Sequence, residues 1–585
     1  MIINKENILT VLSQEQNYTT PRESYSPFAS NIGLTVDPNG SGVDALLLHY
    51  NRFTRSLWDK LIDFPLSMDP GRSAVDKLVF GDDGASLAFY DTDSFLFSSD
   101  KLSSLSLFSN PAELLSDHWF RYSGGSLLIQ GFSRNKDDRD PDAAVCFLAG
   151  VRPIHGAFAS RGDTISVRCD ENGLITLAFS FQFLTVSEVS LLSQLSEAPR
   201  TIEDAASRCA EFLKRCAGTL SLNAETSTEQ KMLSKALHGL LFNLTKAPGH
   251  LANHLSAFPN RGEYPTHFLW DTCFQNLAYE LMSDRLVKDF LLQFPANQRP
   301  DGKYPQFLCS TWARPAETQP ALIGWAALRF ASQCGDRDFA RTMLASLERN
   351  NEWWLTARMT SRGLVSCPHG LETGQDDSPR FDNGPTIAAD MNSYLLNQLR
   401  CTAGLAEHLG DTKKAAFWND LADILSQRIM DVLYCEEDRL FYDVSLQTGD
   451  HIRIVSPVSL LPLWAGVPLP APDCRAMIER YLLSDEYLFG GVPFPSVAYN
   501  QSCYEADRWW RGPTWLPEAW LMLETLERYG YKDALNTARR RLYGMLLNDV
   551  SMHELFNSRT GEGLGSEEQG WTCAVFIRLC KILNG

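Results

Sequence analysis

Three stretches of the sequence hold residue types that could do chemistry together. The first is the loop Pro368–Gly384, in which four carboxylates, Glu372, Asp376, Asp377 and Asp382, lie among glycines. Glycine lets a backbone approach a ligand closely, and clustered carboxylates raise one another's pKa, which equips one of them as a proton donor near neutral pH. The same oxygen-rich loop would suit Ca²⁺, although its spacing is not that of an EF-hand, and a solvated acidic loop is the plainer alternative. The second stretch is Met552–Gly565, where Glu554 is flanked by the apolar residues Met552 and Leu555-Phe556 ahead of a Gly-rich turn. An acid and a base on opposite sides of a bond are what glycosidic hydrolysis requires, and these two stretches could supply them if the fold brings them together. His553 is an alternative base, but no G-x-S-x-G motif offers it a nucleophile.

The third signal is tryptophan. Twelve of the 14 tryptophans follow residue 225, and several stand beside charges or at predicted helix starts, as in Trp270-Asp271, Trp509-Trp510-Arg511 and Trp571. Indole faces stack on the C–H faces of a sugar ring while carboxylates and guanidinium groups take its hydroxyls. Trp353, Trp354 and Trp418 fall at mid-helix positions and read as core.

These residues need a frame. Up to about residue 190 short apolar runs alternate with turn signals. Lys77–Phe80 precedes Asp82-Asp83-Gly84, Ser86–Tyr90 follows, and Gly125–Ile129, Thr164–Arg168 and Leu174–Phe181 come later, with Asn172-Gly173 between the last two. This predicts an antiparallel β-sandwich over residues 1–195. Thr201-Ile202-Glu203-Asp204 opens a capped linker helix within 196–225. From 226 to 585 helical spacing dominates, beginning with Met232, Leu233, Ala236, Leu237, Leu240, Leu241 and Leu244. Further helices are predicted near 272–284, 285–294, 318–333, 336–357, 388–409, 411–433, 456–465, 472–483, 513–529, 531–547 and 568–583. About twelve helices without a fixed repeat suit a closed double ring of helical hairpins, although periodicity does not separate that ring from other helical arrays.

Composition narrows the function. Lys and Arg total 53 against 71 Asp and Glu, a net charge of −18, which disfavours nucleic acid and anionic membranes as partners. No apolar run is long enough to span a bilayer, and the N-terminal residues do not read as a secretory signal. The 14 cysteines are scattered without a CxxC pair, the pattern of reduced thiols in a cytoplasmic protein. Walker, GxGxxG and HExxH motifs are absent, so no nucleotide, dinucleotide or zinc-protease chemistry is expected, and neither cofactor nor metal is assigned.

Four segments in order resemble glycoside hydrolase family 63 and its mannosylglycerate-hydrolase-like relatives. His267–Phe274 (HFLWDTCF) is similar to that family's W-D-x-x-F helix start. Gly374–Phe381 (GQDDSPRF) is similar to the loop holding its general acid, Trp510–Trp515 (WRGPTW) to its W-R-G-P-x-W segment, and Glu554–Gly565 to the segment holding its general base. The resemblance implies an (α/α)6-barrel catalytic domain over 226–585 behind the β-sandwich. It implies an inverting exo-acting α-glycosidase with Asp376 as general acid and Glu554 as general base. His267, Trp270, Asp271, Gln319, Glu372, Gln375, Arg380, Trp510, Arg511, Trp515 and Trp571 would line the pocket for a small carbohydrate. The N-terminal strands favour an α-glucosidase; a mannosylglycerate- or glucosylglycerate-type hydrolase is the alternative. A sugar phosphorylase needs only the acid, and a non-catalytic sugar-binding protein needs neither carboxylate. The sequence departs from the family in carrying Gln375 before the acid and Gln319-Pro320-Ala321 where Q-P-P is common.

Overall fold

The computed structural model describes residues 1–12, 24–25, 32–36, 43–48, 77–80, 84–108, 118–134, 144–161, 164–183, 187–247, 249–252, 254–310 and 312–585. Trp58 and the turn residues Asp82 and Asp83 lie outside them. The chain divides into two compact units, residues 1–267 with 308–312, and 268–307 with 313–585.

In the first unit a seven-stranded antiparallel sheet contains β1 (Leu78–Phe80), β2 (Ala85–Asp91), β3 (Ser94–Ser99), β4 (His118–Ser123), β5 (Ser126–Arg134), β6 (Ala144–His155) and β7 (Ile175–Phe183), in the order β1-β2-β3-β7-β6-β5-β4. Side chains alternate between its faces with period two. Ala88, Tyr90, Leu96, Leu128, Leu148 and Ala178 form one buried cluster with Leu191 and Leu195 of α1 (Glu188–Ser196) and Ile202, Ala205 and Ala206 of α2 (Ile202–Ala217). That face of the sheet is therefore covered by helices. Thr201 caps α2 as expected, accepting from the Asp204 amide at 3.1 Å. The Asn172-Gly173 turn is present, with Asp170 Oδ1 accepting from the amides of Asn172 and Leu174. It joins two sheets instead of closing a hairpin: Thr164–Arg168 belongs to a separate three-stranded sheet, and β7 to the large one. The helix α3 (Ser227–Phe242), closed at its start by a reciprocal Thr226/Glu229 capping box, also lies in this unit.

The second unit is helical. It contains α4 (Leu269–Tyr279), α5 (Asp284–Ala296), α6 (Ile323–Cys334), α7 (Arg337–Ala357), α8 (Ala389–Leu409), α9 (Thr412–Leu433), α10 (Leu461–Ala465), α11 (Ala471–Met477), α12 (Leu516–Arg528), α13 (Lys532–Leu547) and α14 (Gly570–Asn584). The helices α4, α6, α8, α10, α12 and α14 pack in a cycle, each on the next and α14 back on α4. The intervening helices alternate with them along the chain; α7 packs on α8 and α6, α9 on α8, and α13 on α12 and α14. The cyclic helices are buried nearly all round, as α4 shows from end to end and α14 shows from Gly570 to Ile577, whereas α9 keeps one exposed face. Among the described residues, no helix is long and apolar enough to cross a membrane.

Candidate active site

The site residues of the second unit gather where the cyclic helices begin. Trp270 and Asp271 open α4, Gln319 precedes α6, Asp390 opens α8, Trp515 precedes α12, and Trp571 opens α14. Helix starts leave backbone N–H groups unpaired. Here several are satisfied by side chains remote in sequence. Gln319 Oε1 accepts from the Trp270 amide at 2.9 Å, and Asp443 Oδ1 accepts from the Ala389 amide at 2.7 Å.

The tryptophans form one aromatic group. Trp510 and Trp515 stack at 3.7 Å with an interplanar angle of 6°. Trp571 meets Trp515 and Trp270 edge-on at 5.9 Å, and Trp270 lies 6.1 Å from Trp510. Gly374, in the left-handed region at φ +76°, presses on the indole of Trp270, where a Cβ would come within 2.8 Å of the ring.

The four carboxylates of the loop 368–384 take four different surroundings. Glu372 is held by the guanidinium of Arg358, with Nη1 at 3.1 Å. Asp377 accepts from the Trp510 amide at 2.9 Å. Asp382 pairs with Arg511, whose Nη1 stands at 3.0 Å. Asp376 and Glu554 both lie within electrostatic reach of Asp271; burial, reinforced by these two charges, lifts the Asp271 carboxyl well above the usual carboxylate range. Three carboxyls thus converge at the start of α4.

Glu554 is buried and fixed. Its Oε2 accepts from the Ser566 amide at 3.1 Å and stands 3.0 Å from the Ser566 hydroxyl, while the Trp571 indole N–H donates to its backbone carbonyl at 3.0 Å. The neighbouring His553 contacts Asp549, with its backbone N–H at 2.7 Å from Oδ2. The segment carrying Glu554 is tied to the tryptophan segment by paired backbone bonds, Thr514 N to Phe556 O at 2.8 Å and Phe556 N to Thr514 O at 3.0 Å.

Behind Asp376 lies a buried polar knot. Arg380 donates to Asp443 and Asp390, each at 2.6 Å, to Gln375 Oε1 at 2.9 Å and to the Ser378 hydroxyl at 3.2 Å. Gln375 Nε2 donates in turn to Glu518. Arg380 and Gln375 therefore spend their polar atoms inside the protein. His267 lies in the first unit, buried, with its Nδ1 3.0 Å from the Ala257 carbonyl.

Sequence reasoning did not single out Ser566, Asp390, Asp443, Glu518 or Arg358. Ser566 directly follows the glycine of the Glu554 segment and was within reach. Glu518 and Asp443 carry no local signal, because their partners are more than 50 residues away.

Residues 264–572 match the family described as the mannosylglycerate hydrolase MGH1-like glycoside hydrolase domain. The chain belongs to this family. It is a glycoside hydrolase of the family 63 type, acting on O-glycosyl bonds. Among its relatives are a mannosylglycerate hydrolase of Thermus thermophilus, 24% identical over 405 residues, covering 54% of this chain and 95% of the relative, and one of Rubrobacter radiotolerans, 28% identical over 210 residues, covering 35% of this chain and 47% of the relative. The chain thus spans about half the length of the Rubrobacter protein. The fold is similar to the crystal structure of a GH63 mannosylglycerate hydrolase from Thermus thermophilus in complex with glucose, with a TM-score of 0.53 and 20% identity over 59% of this chain and 99% of that one.

Proposed function

We propose that this glycoside hydrolase inverts the anomeric centre and removes a terminal α-linked sugar from a small glycoside, with mannosylglycerate or glucosylglycerate the favoured substrate. The relatives shift the substrate from the plain α-glucoside that the N-terminal strands suggested towards the glycosyl-glycerate alternative. In this reading the cycle of helices is the inner ring of an (α/α)6 barrel, the sheets of the first unit belong to a β-sandwich, and the free cysteines suit the cytoplasm.

One observation supports the chemistry: the proposed acid Asp376 and base Glu554 both lie within electrostatic reach of buried Asp271 at the start of α4. Asp376 gives its proton to the leaving oxygen. Glu554, held by Ser566, takes a proton from a water on the opposite face of the sugar. Inversion needs about 6.5–9.5 Å between the two carboxyls to admit that water. Trp270, Trp510, Trp515 and Trp571 supply apolar faces for the ring, and Asp271, Gln319, Glu372 and Arg511 rim the pocket.

The test is to incubate the enzyme with mannosylglycerate, glucosylglycerate and α-linked glucose and mannose disaccharides, reading the product anomer by NMR. First-formed β-anomer from a glycosyl-glycerate supports the proposal. Retained α-anomer, or full turnover by Asp376→Asn or Glu554→Gln, rejects it.

A further inference from the structure

We propose that Glu518 is a positioning residue for the Asp376 carboxyl, acting through the side-chain amide of Gln375. The inference rests on the reading of Asp376 as the proton donor and adds to it what holds that donor in place.

Glu518 lies in the first turn of α12, three residues after Trp515, and is 1% exposed. Burying a carboxyl costs free energy unless the fold uses it. This one makes a single hydrogen bond among the described residues. Its Oε1 accepts from Gln375 Nε2, while its Oε2 is buried with no partner there. A leucine at this position would have filled similar space without that cost, so the bond to Gln375 is what the carboxyl contributes.

Gln375 is covalently next to Asp376, and both ends of its amide are engaged. Arg380 Nη2 donates to its Oε1, which fixes which end faces Arg380 and leaves the N–H₂ end for Glu518. Arg380 is itself immobilised by Asp390 and Asp443. The turn from Gln375 to Arg380 is therefore pinned at both feet, with Asp376 and Asp377 at its crest.

The segment 510–518 serves as the common frame. It receives the acid loop at two points, Asp377 on the Trp510 amide and Gln375 on Glu518. It receives the strand of Glu554 through the Thr514–Phe556 pair. The separation of acid and base is thus set through one stretch of chain, and Glu518 is the side chain by which that stretch grips the residue before the acid.

The experiment compares two leaving groups. A glycosyl-glycerate needs its departing oxygen protonated; the matching α-glycosyl fluoride releases fluoride with little help from an acid. Glu518→Leu and Gln375→Leu are expected to lower kcat on the glycosyl-glycerate by about tenfold or more, with KM and fluoride hydrolysis changed by less than about threefold, because general-acid catalysis alone is weakened. Glu518→Gln keeps the acceptor oxygen and is expected to restore most of kcat. Equal losses on both substrates, or no loss in either variant, would overturn the proposal. If Glu518→Leu fails to fold, Gln375→Leu is judged alone by the same criterion. Wild-type turnover of the glycosyl-glycerate by Asp376→Asn would sink the assignment of the acid itself; a crippled Asp376→Asn beside an unaffected Gln375→Leu would remove only the positioning role.

Discussion

Gly565 leaves no space beside Glu554: the Cβ it lacks would stand 2.8 Å from Glu554 Oε2. Its φ of +77° adds strain for any side chain. Gly565→Ala is therefore expected to displace the carboxylate and cut kcat by roughly 100-fold, the scale of an ångström-sized misplacement of a catalytic group. Initial rates with unchanged circular dichroism would establish it; a kcat within twofold of wild type would contradict the packing.

Ser566 holds the same carboxylate oxygen from its amide and hydroxyl. Ser566→Ala removes only the hydroxyl. The expected loss is about 1 kcal/mol of orientation, close to a fivefold fall in kcat with little change in KM. Steady-state kinetics on one substrate read both parameters.

Gly374→Ala bears on the proposed sugar platform. A methyl group there would meet the indole of Trp270 at 2.8 Å and sit at an unfavourable φ. We expect KM to rise several-fold, about 1 kcal/mol of binding, and the tryptophan emission to shift as the ring moves. An unshifted spectrum with unchanged KM would argue that the loop relaxes away from the ring.

Among the described residues, Arg380 is the sole cation paired with Asp390 and Asp443 in the knot behind Asp376, and burial raises the Asp443 carboxyl despite it. Arg380→Lys cannot reproduce four directed bonds. Lysine keeps the charge but leaves buried acceptors unpaired, so urea unfolding is expected to show a loss of about 1–3 kcal/mol.

The pH dependence of stability follows from Glu518, whose carboxyl burial pushes up to about 8, with the Arg380 charge opposing and Asp390 adding to the rise. A carboxyl raised in the folded state favours folding fully below the unfolded value, about 4.3, and that advantage is lost as pH rises through about 8. Melting temperature should therefore fall between pH 5 and 8, and Glu518→Gln should flatten the slope. Parallel melting curves for the two proteins would show that Glu518 does not titrate in this window.

Much of the helical unit was legible because its signals are local. Helices expected over 336–357 and 411–433 appear as Arg337–Ala357 and Thr412–Leu433, each opened by an aspartate cap, Asp336 and Asp411. The expectation failed where a distant partner decides. The helix expected from 272 begins at Leu269, because the Trp270 amide is satisfied by Gln319. The helix expected from 513 begins at Leu516, because Thr514 is drawn into backbone pairing with Phe556. The helix expected over 472–483 relaxes to π-helical turns after Met477. The candidate acid, base and tryptophans were visible from residue type and motif. The Arg380 knot was not, since Asp443 and Glu518 join it only through the tertiary fold.

The pair Asp376-Asp377 looks like a proton donor with a reserve beside it. No reserve exists. Asp377 is committed to the Trp510 amide and has Arg508 and Arg511 at 3.7 and 3.8 Å. In the proposed mechanism one member of the doublet is therefore a fastener and the other a reagent, and exchanging Asp376 for a residue without a proton to give is expected to disable the enzyme even though an intact carboxyl remains one position along.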